Sequence, residues 1–315
     1  MKTDSTPAAT TRRDLYQRIT DQIVRELERG VAPWRKPWDA GNLAGRVMRP
    51  LRHNGMPYNG INVIVLWCEA IERGFEAPHW MTFRQALELG GHVRKGEKGS
   101  LVVYANALSR SEVDEATGEE TSRAIPYLKS YTVFNVAQIE NLPELYRAKP
   151  APRSEPLPRI ERADRFFAAT KADIRHGGDR AYYAAGSDHV QMPPFECFRD
   201  AESYAATMAH ELTHWTKHKT RLDREFGRKR WGDEGYAMEE LVAELGAAFL
   251  CADLDLTLDV RDDHAGYLAH WLTVLKQDNR AIFTAAAHAQ RAADFLHEAQ
   301  NGAPKDRRQS PASSS

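Results

Sequence analysis

A five-residue motif in the second half of the chain constrains the fold more than any other feature. It reads His210-Glu211-Leu212-Thr213-His214, and the nine residues before it contain neither proline nor glycine. On a helix, residues four apart lie on one face, so both imidazoles can reach one metal ion about 2 Å away. Glu211 then lies beside the open coordination position, where a general base is needed. The motif therefore predicts a helix that carries two metal ligands and a catalytic glutamate.

A catalytic metal of this kind takes a third protein ligand, and the next helical stretch supplies one. Glu240 and Glu244 lie one turn apart on one face of that stretch. We interpret Glu240 as the third ligand and Glu244 as the acceptor that orients a ligand histidine from behind. His218 and His264 stay open as other ligands. Two histidines and a carboxylate favour Zn²⁺, although the same set also suits Mn²⁺ or iron.

Composition and charge narrow the class of protein. The chain has 315 residues, 42% of them hydrophobic and 28% charged, as in ordinary globular proteins. Its longest uncharged apolar stretch, residues 61–68, is too short to cross a bilayer, and residues 1–11 lack the apolar core of a signal peptide. Three scattered cysteines form no C-x-x-C pair. We expect a cytoplasmic protein without membrane contact, and the net charge of −1 excludes a nucleic-acid coat over the whole surface.

A proline-rich break divides the chain into two domains. Residues 147–159 contain four prolines, which remove backbone donors and favour extended structure. We predict a first domain over 10–146, a linker over 147–158, a second domain over 159–301 and a disordered tail over 302–315. The first domain mixes helices with β-rich runs, whereas the second is mainly helical with a small sheet. The predicted fold class is therefore α+β, with two domains.

Hydrophobic periodicity locates the regular elements. The helical stretches that it predicts are about 11–29, 59–73, 82–89, 160–174, 199–218, 236–252 and 262–300. The β-rich runs are 101–105 and 131–136 in the first domain, with one or two short strands within 181–192 in the second. An acidic segment that contains Thr117-Gly118, residues 112–120, is typical of an exposed hairpin tip.

One irregular segment of the first domain combines aromatic rings with cations. Residues 29–58 hold six basic residues and one acid. Single-stranded nucleic acid is bound by such a combination, because bases stack on the rings and phosphates pair with the cations. Tryptophans flanked by prolines also commonly fill a small core, and that interpretation stays open. A second basic group lies near residue 95. Together the two segments give the candidate nucleic-acid-binding residues, which are Trp34, Arg35, Lys36, Trp38, Arg49, Arg52, Tyr58, Asn59, Arg94 and Lys95.

Two resemblances to known families follow from these motifs. The first motif with the later Glu240-x-x-x-Glu244 resembles the zincin metallopeptidases whose third ligand is a glutamate. Four runs in the first domain closely resemble the N-terminal domain of ArdC-type antirestriction proteins. They are Tyr16-x-x-Ile19-x-x-x-Ile23, Gly30-Val31-Ala32-Pro33-Trp34-x-x-Pro37-Trp38, Pro57-Tyr58-Asn59-Gly60-Ile61-Asn62 and Val93-Arg94-Lys95-Gly96-Glu97. The resemblance covers residues 12–300 and so includes both domains.

The resemblance implies a protein of conjugative plasmids and related mobile elements that binds single-stranded DNA and protects it from host restriction endonucleases. It also implies a peptidase site in which Glu211 moves the proton during peptide hydrolysis. A substrate backbone would add to an edge strand, for which residues 188–192 are the candidate. His218, Tyr236 and His264 are candidates for the oxyanion stabiliser. The identity of the protein substrate is not readable from the sequence.

Two other functions fit the same residues. One is a protease of DNA repair that depends on single-stranded DNA and clears proteins from it, with no link to restriction. The other is a DNA-binding module in which the metal only stabilises the fold. Glu211 argues against the second, because a structural metal site has no use for a general base.

Overall fold

The computed structural model contains two compact units. The first consists of residues 1–25 and 50–150, and the second of residues 26–49 and 151–315. The structure describes residues 7–30, 32–34, 48–113, 120–147, 156–227, 234–256 and 265–301. The predicted two-domain α+β architecture is confirmed. The boundary is not a single point, however, because the segment 26–49 groups with the second unit and not with the predicted first domain. The predicted tail over 302–315 lies outside the described residues.

Helices and a mixed, mainly antiparallel sheet form the first unit. Its helices are α1 (Pro7–Glu28, of which the residues up to Arg25 belong to this unit), α2 (Ile61–Arg73), α3 (Phe83–Glu88) and α4 (Glu144–Arg147). Its strands are β1 (Leu51–Arg52), β2 (His79–Met81), β3 (His92–Val93), β4 (Ser100–Val113), β5 (Glu120–Asn135) and β6 (Ile139–Glu140). The helices predicted at 11–29, 59–73 and 82–89 correspond to α1, α2 and α3. A capping box begins α3, because Thr82 Oγ1 accepts from Gln85 N–H and the Gln85 side chain accepts from Thr82 N–H.

Strands β4 and β5 dominate the sheet. The four-stranded sheet has the order β1-β2-β5-β4, and β3 pairs with β6 separately. β4 and β5 are antiparallel and stay in register from Ser100 opposite Val133 to Val113 opposite Glu120. The predicted strands 101–105 and 131–136 are therefore the base of a much longer ribbon. The tip predicted over 112–120 includes the ends of both strands, and its residues 114–119 lie outside the described part of the chain.

The outer edge of β4 is covered by a side chain from α2. Asn62 Oδ1 accepts from Val103 N–H, and Asn62 Nδ2 donates to Val103 O, both at 2.8 Å. This pair of bonds replaces the missing neighbouring strand at that position, since an unpaired strand edge is a site for unwanted pairing. Asn62 closes the run Pro57–Asn62 of the sequence analysis, so part of that run stabilises the fold.

The second unit consists mainly of helices, with one small sheet. Its helices are α5 (Pro156–Ala169), α6 (Ala201–Trp215), α7 (Glu234–Leu254), α8 (Ala265–Gln277) and α9 (Ala281–Glu298). Its strands are β7 (Asp173–His176), β8 (Tyr182–Ala184) and β9 (His189–Met192), in the order β7-β9-β8. No helix within the described ranges has the length and apolarity needed to cross a membrane.

Three predictions for the second unit need correction. The helix predicted over 160–174 ends at Ala169, because Lys171 has a positive φ of 57° and the chain turns there into β7. The same helix begins at Pro156, inside the predicted linker, since proline is tolerated in a first helical turn. The stretch 262–300 is two helices, separated where the Asp278 side chain accepts from Arg280 N–H.

The strand proposed to receive a substrate backbone is not an edge strand. β9 pairs with β7 in parallel on one side and with β8 antiparallel on the other. Residues 189–191 therefore have no free side for a peptide along β9. Among the described strands of this sheet, the edges are β7 and β8.

A close approach of α6 and α7 positions the two halves of the predicted metal site. A Cβ atom at Gly246 would lie only 2.5 Å from Thr213 Cγ2, so no larger residue fits there without displacement. Thr213 lies within the motif on α6. On α7, Gly246 comes about half a turn after Glu244 and about two turns after Glu239. This contact brings the glutamates of α7 against the histidines of α6.

Candidate metal centre and nucleic-acid interface

The two histidines and the glutamate of the motif lie on buried turns of helix α6. Asp200 caps the helix, because its Oδ1 accepts from Ser203 N–H at 2.7 Å. His210, Glu211 and His214 are all buried, and the centroids of the two imidazole rings are 4.8 Å apart. Their spacing of four residues places both rings on one face, as the motif predicts.

Glu240 of α7 completes a group of three metal-binding side chains. Its Oε2 lies 3.6 Å from His210 Nε2, and its Oε1 lies 3.5 Å from His214 Nε2. One ligand atom from each of the three residues lies within 4.8 Å of the other two. Two imidazole nitrogens and a carboxylate oxygen are the donors that Zn²⁺ and related divalent ions prefer. The residues present therefore fit a divalent metal.

The electrostatics of this group also favour a cation. Burial lowers the pKa of His214, but the carboxylates of Glu240 and Glu239 outweigh it and raise that pKa to about 9. Burial opposes ionisation of Glu240 as well, yet the two histidines hold its pKa far below the ordinary value. The carboxylates thus stabilise positive charge on the imidazoles. A divalent ion would take the place of that proton, since metal ligation requires neutral histidine.

The far nitrogen of each histidine faces a different glutamate of α7. Glu244 Oε1 lies 3.5 Å from His210 Nδ1, in the orienting position that we assigned to it from the sequence. Glu239 Oε1 lies 3.0 Å from His214 Nδ1. An acceptor at Nδ1 favours the tautomer that protonates Nδ1 and leaves Nε2 to the metal. Glu239 was not among the predicted site residues, although its position next to Glu240 was the available signal.

A buried arginine holds Glu239 in place. Arg224 donates from Nε to Glu239 Oε2 at 2.8 Å and from Nη2 to Glu239 Oε1 at 2.9 Å. Its remaining donors reach Thr216 Oγ1 and Thr213 O, and its side chain has no exposed surface. Burial opposes ionisation of Glu239, but Arg224 and His214 lower its pKa to about 2. No sequence pattern indicated Arg224, because it lies in an irregular segment after α6.

We expect Arg224→Met to weaken metal binding without removing a ligand. The variant leaves Glu239 buried without its bidentate partner, so His214 loses a fixed orientation. Metal affinity should fall about 10- to 100-fold, as for other residues that orient a metal ligand. The measurement is a competition titration with a metal indicator dye, with Arg221→Met as the matched arginine control from the same segment. Equal affinities for wild type and Arg224→Met would contradict this role.

The remaining candidates for the second unit differ in placement. His218 Nδ1 shares a hydrogen bond of 2.8 Å with Thr220 Oγ1. The same nitrogen lies 4.0 Å from Asp188 Oδ2. It is therefore not part of the three-residue group. Tyr236 is buried on α7. His264 lies outside the described residues.

Two of the predicted nucleic-acid-binding residues are buried in the second unit. Trp34 is 1% exposed, and its ring lies 6.1 Å from that of Trp271. Arg49 is 8% exposed and bidentate, with Nε 2.9 Å from Asp253 Oδ1 and Nη2 3.1 Å from Oδ2. A buried ring cannot stack with a base, and a buried, paired guanidinium cannot bind a phosphate. The prediction that Trp34 and Arg49 contact DNA is therefore wrong, and the alternative of a tryptophan that fills a core holds for Trp34.

We expect Arg49→Met to destabilise the second unit. Removal of Arg49 from this ion pair leaves the Asp253 carboxylate with His297, 3.0 Å away, as its remaining charged partner, and Asp253 is 21% exposed. The free energy of unfolding should fall by about 1–3 kcal/mol, less than for a fully buried pair. Urea denaturation measures it, with Arg84→Met as the control, because Arg84 pairs with Glu88 at the exposed surface. An equal effect of the two substitutions would contradict a stabilising role of Arg49.

The other predicted nucleic-acid-binding residues belong to the first unit or cannot be placed. The Arg52 guanidinium lies 5.5 Å from the centroid of the Tyr58 ring, and Tyr58 is 3% exposed. Asn59 is exposed. Arg94 and Lys95 are exposed in the turn after β3, where Arg94 pairs with Glu97 at 2.8 Å. Arg35, Lys36 and Trp38 lie outside the described residues.

The paired helices and their two histidines and glutamate define a zincin-like domain, joined to an α+β domain of different build. Residues 161–288 match the family described as a zincin-like metallopeptidase. Residues 13–134 match the family described as the N-terminal domain of anti-restriction factor ArdC. The chain belongs to the ArdC antirestriction family.

Two solved structures of one ArdC protein and a full-length relative are similar to this chain over nearly its whole length. The metal-free crystal structure of the antirestriction protein ArdC from plasmid R388 is 49% identical with a TM-score of 0.77, and the match covers 93% of this chain and 100% of that one. The Mn(II)-bound structure of that protein is 47% identical with a TM-score of 0.75, over 91% and 98% of the two chains. The uncharacterised protein y4eC of Sinorhizobium fredii is 43% identical over 97% of this chain and 98% of its own length.

A further relative is much longer than this chain. A DNA primase TraC of Escherichia coli is 36% identical over 91% of this chain, but the match covers only 27% of the primase. A region similar to most of this chain thus occurs within a larger protein that is named a DNA primase.

Proposed function

We propose that the chain protects incoming DNA from host restriction by binding single-stranded DNA through its first unit, and that its second unit hydrolyses peptide bonds at a divalent-metal centre. The observation that carries the second part is the convergence of His210, His214 and Glu240, with the buried Glu211 next to His210 on the same helix. Family membership supports the first part. We propose that both activities operate in the cytoplasm, where incoming DNA meets restriction enzymes.

The residues at the centre have complementary tasks in this proposal. His210, His214 and Glu240 would hold Zn²⁺ or Mn²⁺, and the Mn(II)-bound structure of the R388 protein supports a divalent ion. When bound, the metal supplies Lewis acidity toward a peptide carbonyl. Glu211 accepts the proton of the attacking water and delivers it to the leaving amine. Glu239 and Glu244 hold the histidine rings so that Nε2 stays available.

Binding to single-stranded DNA is supported by similarity and by the composition of the first unit. The match to the ArdC N-terminal domain covers residues 13–134. The similar region within the TraC primase is also consistent with a DNA partner. With Trp34 and Arg49 excluded, the exposed cations Arg94 and Lys95 remain as described candidates for phosphate contacts.

The test is the entry of unmodified DNA into a restricting host that produces the wild type or Glu211→Gln. We expect the wild type to raise the recovery of unmodified DNA and to leave recovery of modified DNA unchanged. Full protection by Glu211→Gln would rule out hydrolysis as the means of protection, whereas its loss would assign the protection to hydrolysis. No protection by the wild type would refute the antirestriction function.

A further inference from the structure

One face of the β4–β5 ribbon changes from buried to exposed along its length. Residues opposite each other in an antiparallel pair share a face, and so do residues two apart on one strand. Val102 opposite Tyr131 and Tyr104 opposite Lys129 therefore lie on the same face. Val102 and the next residue toward the base, Val133, are fully buried. Tyr131 is 38% exposed and Tyr104 is 51% exposed, and Lys129 is exposed as well.

The buried end of this face lies under α2. Ser100 Oγ donates to Glu69 Oε2 of α2 at 2.9 Å, which fixes the helix over that part of the sheet. The helix begins at Ile61, and beyond its start the face carries two half-exposed rings on diagonal positions, about 7–8 Å apart by the geometry of antiparallel sheets. Two rings at this spacing present separate π-faces along one direction.

The hydroxyl of Tyr131 interacts electrostatically with that of Tyr58, whose buried ring offers no face for stacking. Burial raises the pKa of Tyr58, and the Tyr131 hydroxyl raises it further. The Arg52 guanidinium lies beside the Tyr58 ring. Lys129 provides a positive charge at the other end, next to Tyr104 in the register. Aromatic faces with cations between them have the chemistry that bases and phosphates require.

The sequence also marks where such a surface ends. Residues 112–120, farther along the ribbon, contain five acidic residues and no lysine or arginine. Phosphates are repelled by such a run. The end of the ribbon that adjoins α2 is therefore more favourable for a nucleic acid than the acidic end.

We propose that Tyr104, Lys129 and Tyr131, named here the ribbon platform, bind single-stranded DNA, with two bases stacked on the two tyrosines and a backbone phosphate at Lys129. The proposal rests on the single-stranded DNA binding proposed above and gives it a location. The bases must be unpaired, because the rings of a duplex are covered by stacking and pairing. The platform also takes over the aromatic role that the sequence suggested for Trp34.

The experiment is a fluorescence anisotropy titration of the full-length protein with a labelled oligothymidine of about 12 nucleotides at several salt concentrations. The variants are Tyr104→Ala, Tyr131→Ala, Lys129→Ala and the two Tyr→Phe substitutions. Tyr182→Ala is the matched control, because Tyr182 is a 47% exposed strand tyrosine of the second unit. A melting curve for each variant shows whether it folds. We expect Tyr104→Ala to fold, because the side chain that it removes is half exposed.

We expect each Tyr→Ala substitution to weaken binding about 5- to 100-fold, because a stacked base contributes on the order of 1–3 kcal/mol. The Tyr→Phe variants keep the ring and should bind within about twofold of the wild type. Lys129→Ala should lower the slope of log affinity against log salt by about 0.7. Tyr182→Ala should bind as the wild type does.

An oligonucleotide with abasic positions separates stacking from a general effect on the fold. Removal of bases should weaken the wild type but should have a much smaller effect on Tyr104→Ala, since the stacking partner is already absent. If the wild type binds and folded Tyr104→Ala and Tyr131→Ala bind equally well, the platform is refuted while DNA binding stands. If the wild type does not bind single strands even at low salt, the proposed DNA-binding function itself is refuted.

Discussion

Glu240→Gln lowers the affinity for a divalent metal by roughly a hundred- to a thousandfold, because one of three protein ligands loses its charge. In the structure, Glu240 faces both Nε2 atoms at 3.5–3.6 Å and holds positive charge at His214. The amide that replaces it is a neutral and weaker donor. The measurement is a competition titration of Zn²⁺ and Mn²⁺ against an indicator dye, with metal content determined after dialysis.

Glu234→Gln is the matched control for this experiment. Glu234 begins the same helix and is exposed, so its substitution removes the same charge without touching the site. It should bind metal as the wild type does. Metal binding by Glu240→Gln with wild-type affinity would show that the third ligand lies elsewhere.

We expect Glu211→Gln to lower the proposed peptide hydrolysis at least about 100-fold and to leave metal binding unchanged. The variant keeps the three ligands but removes the carboxylate that accepts and delivers the proton, a contribution of about 10²–10⁴ in rate. The measurement is cleavage of a random peptide library by the metal-loaded protein, followed by mass spectrometry. Metal affinity from the dye titration is the parallel readout, since a misfolded site would lose both.

Comparison with Glu240→Gln distinguishes loss of the proton carrier from loss of the metal. Both variants should lack hydrolysis, but only Glu240→Gln should lose the metal. Hydrolysis by Glu211→Gln at the wild-type rate would contradict its role as the proton carrier. Absence of cleavage by the metal-loaded wild type across the library would contradict the peptidase function.

The predictable part of the site lies on two regular helices. His210, His214, Glu240 and Glu244 could be located because helical spacing alone sets which side chains share a face. Arg224 could not, because its position depends on an irregular segment that folds back onto α7. Glu239 lies beside Glu240 in the sequence, but only the packed pair of helices shows that the two glutamates contact opposite nitrogens of His214.

The predictions failed where contacts between distant segments decide the environment. Trp34 and Arg49 have the composition of a DNA-binding segment, but their partners Trp271 and Asp253 are more than 200 residues away. No local sequence pattern distinguishes a tryptophan ring that stacks with a DNA base from one that packs against another tryptophan. Strands of two or three residues, such as β1 and β3, were equally unpredictable, since alternation needs a longer run.

Removal and return of the metal tests most directly that this centre is catalytic. The protein is treated with a chelator and then reloaded with Zn²⁺ or Mn²⁺, and peptide hydrolysis and melting temperature are measured at each stage. We predict that hydrolysis disappears with the metal and returns with it, whereas the folded chain persists without metal. A lower melting temperature on chelation with every activity intact would contradict the account and would make the metal a purely structural part of the fold.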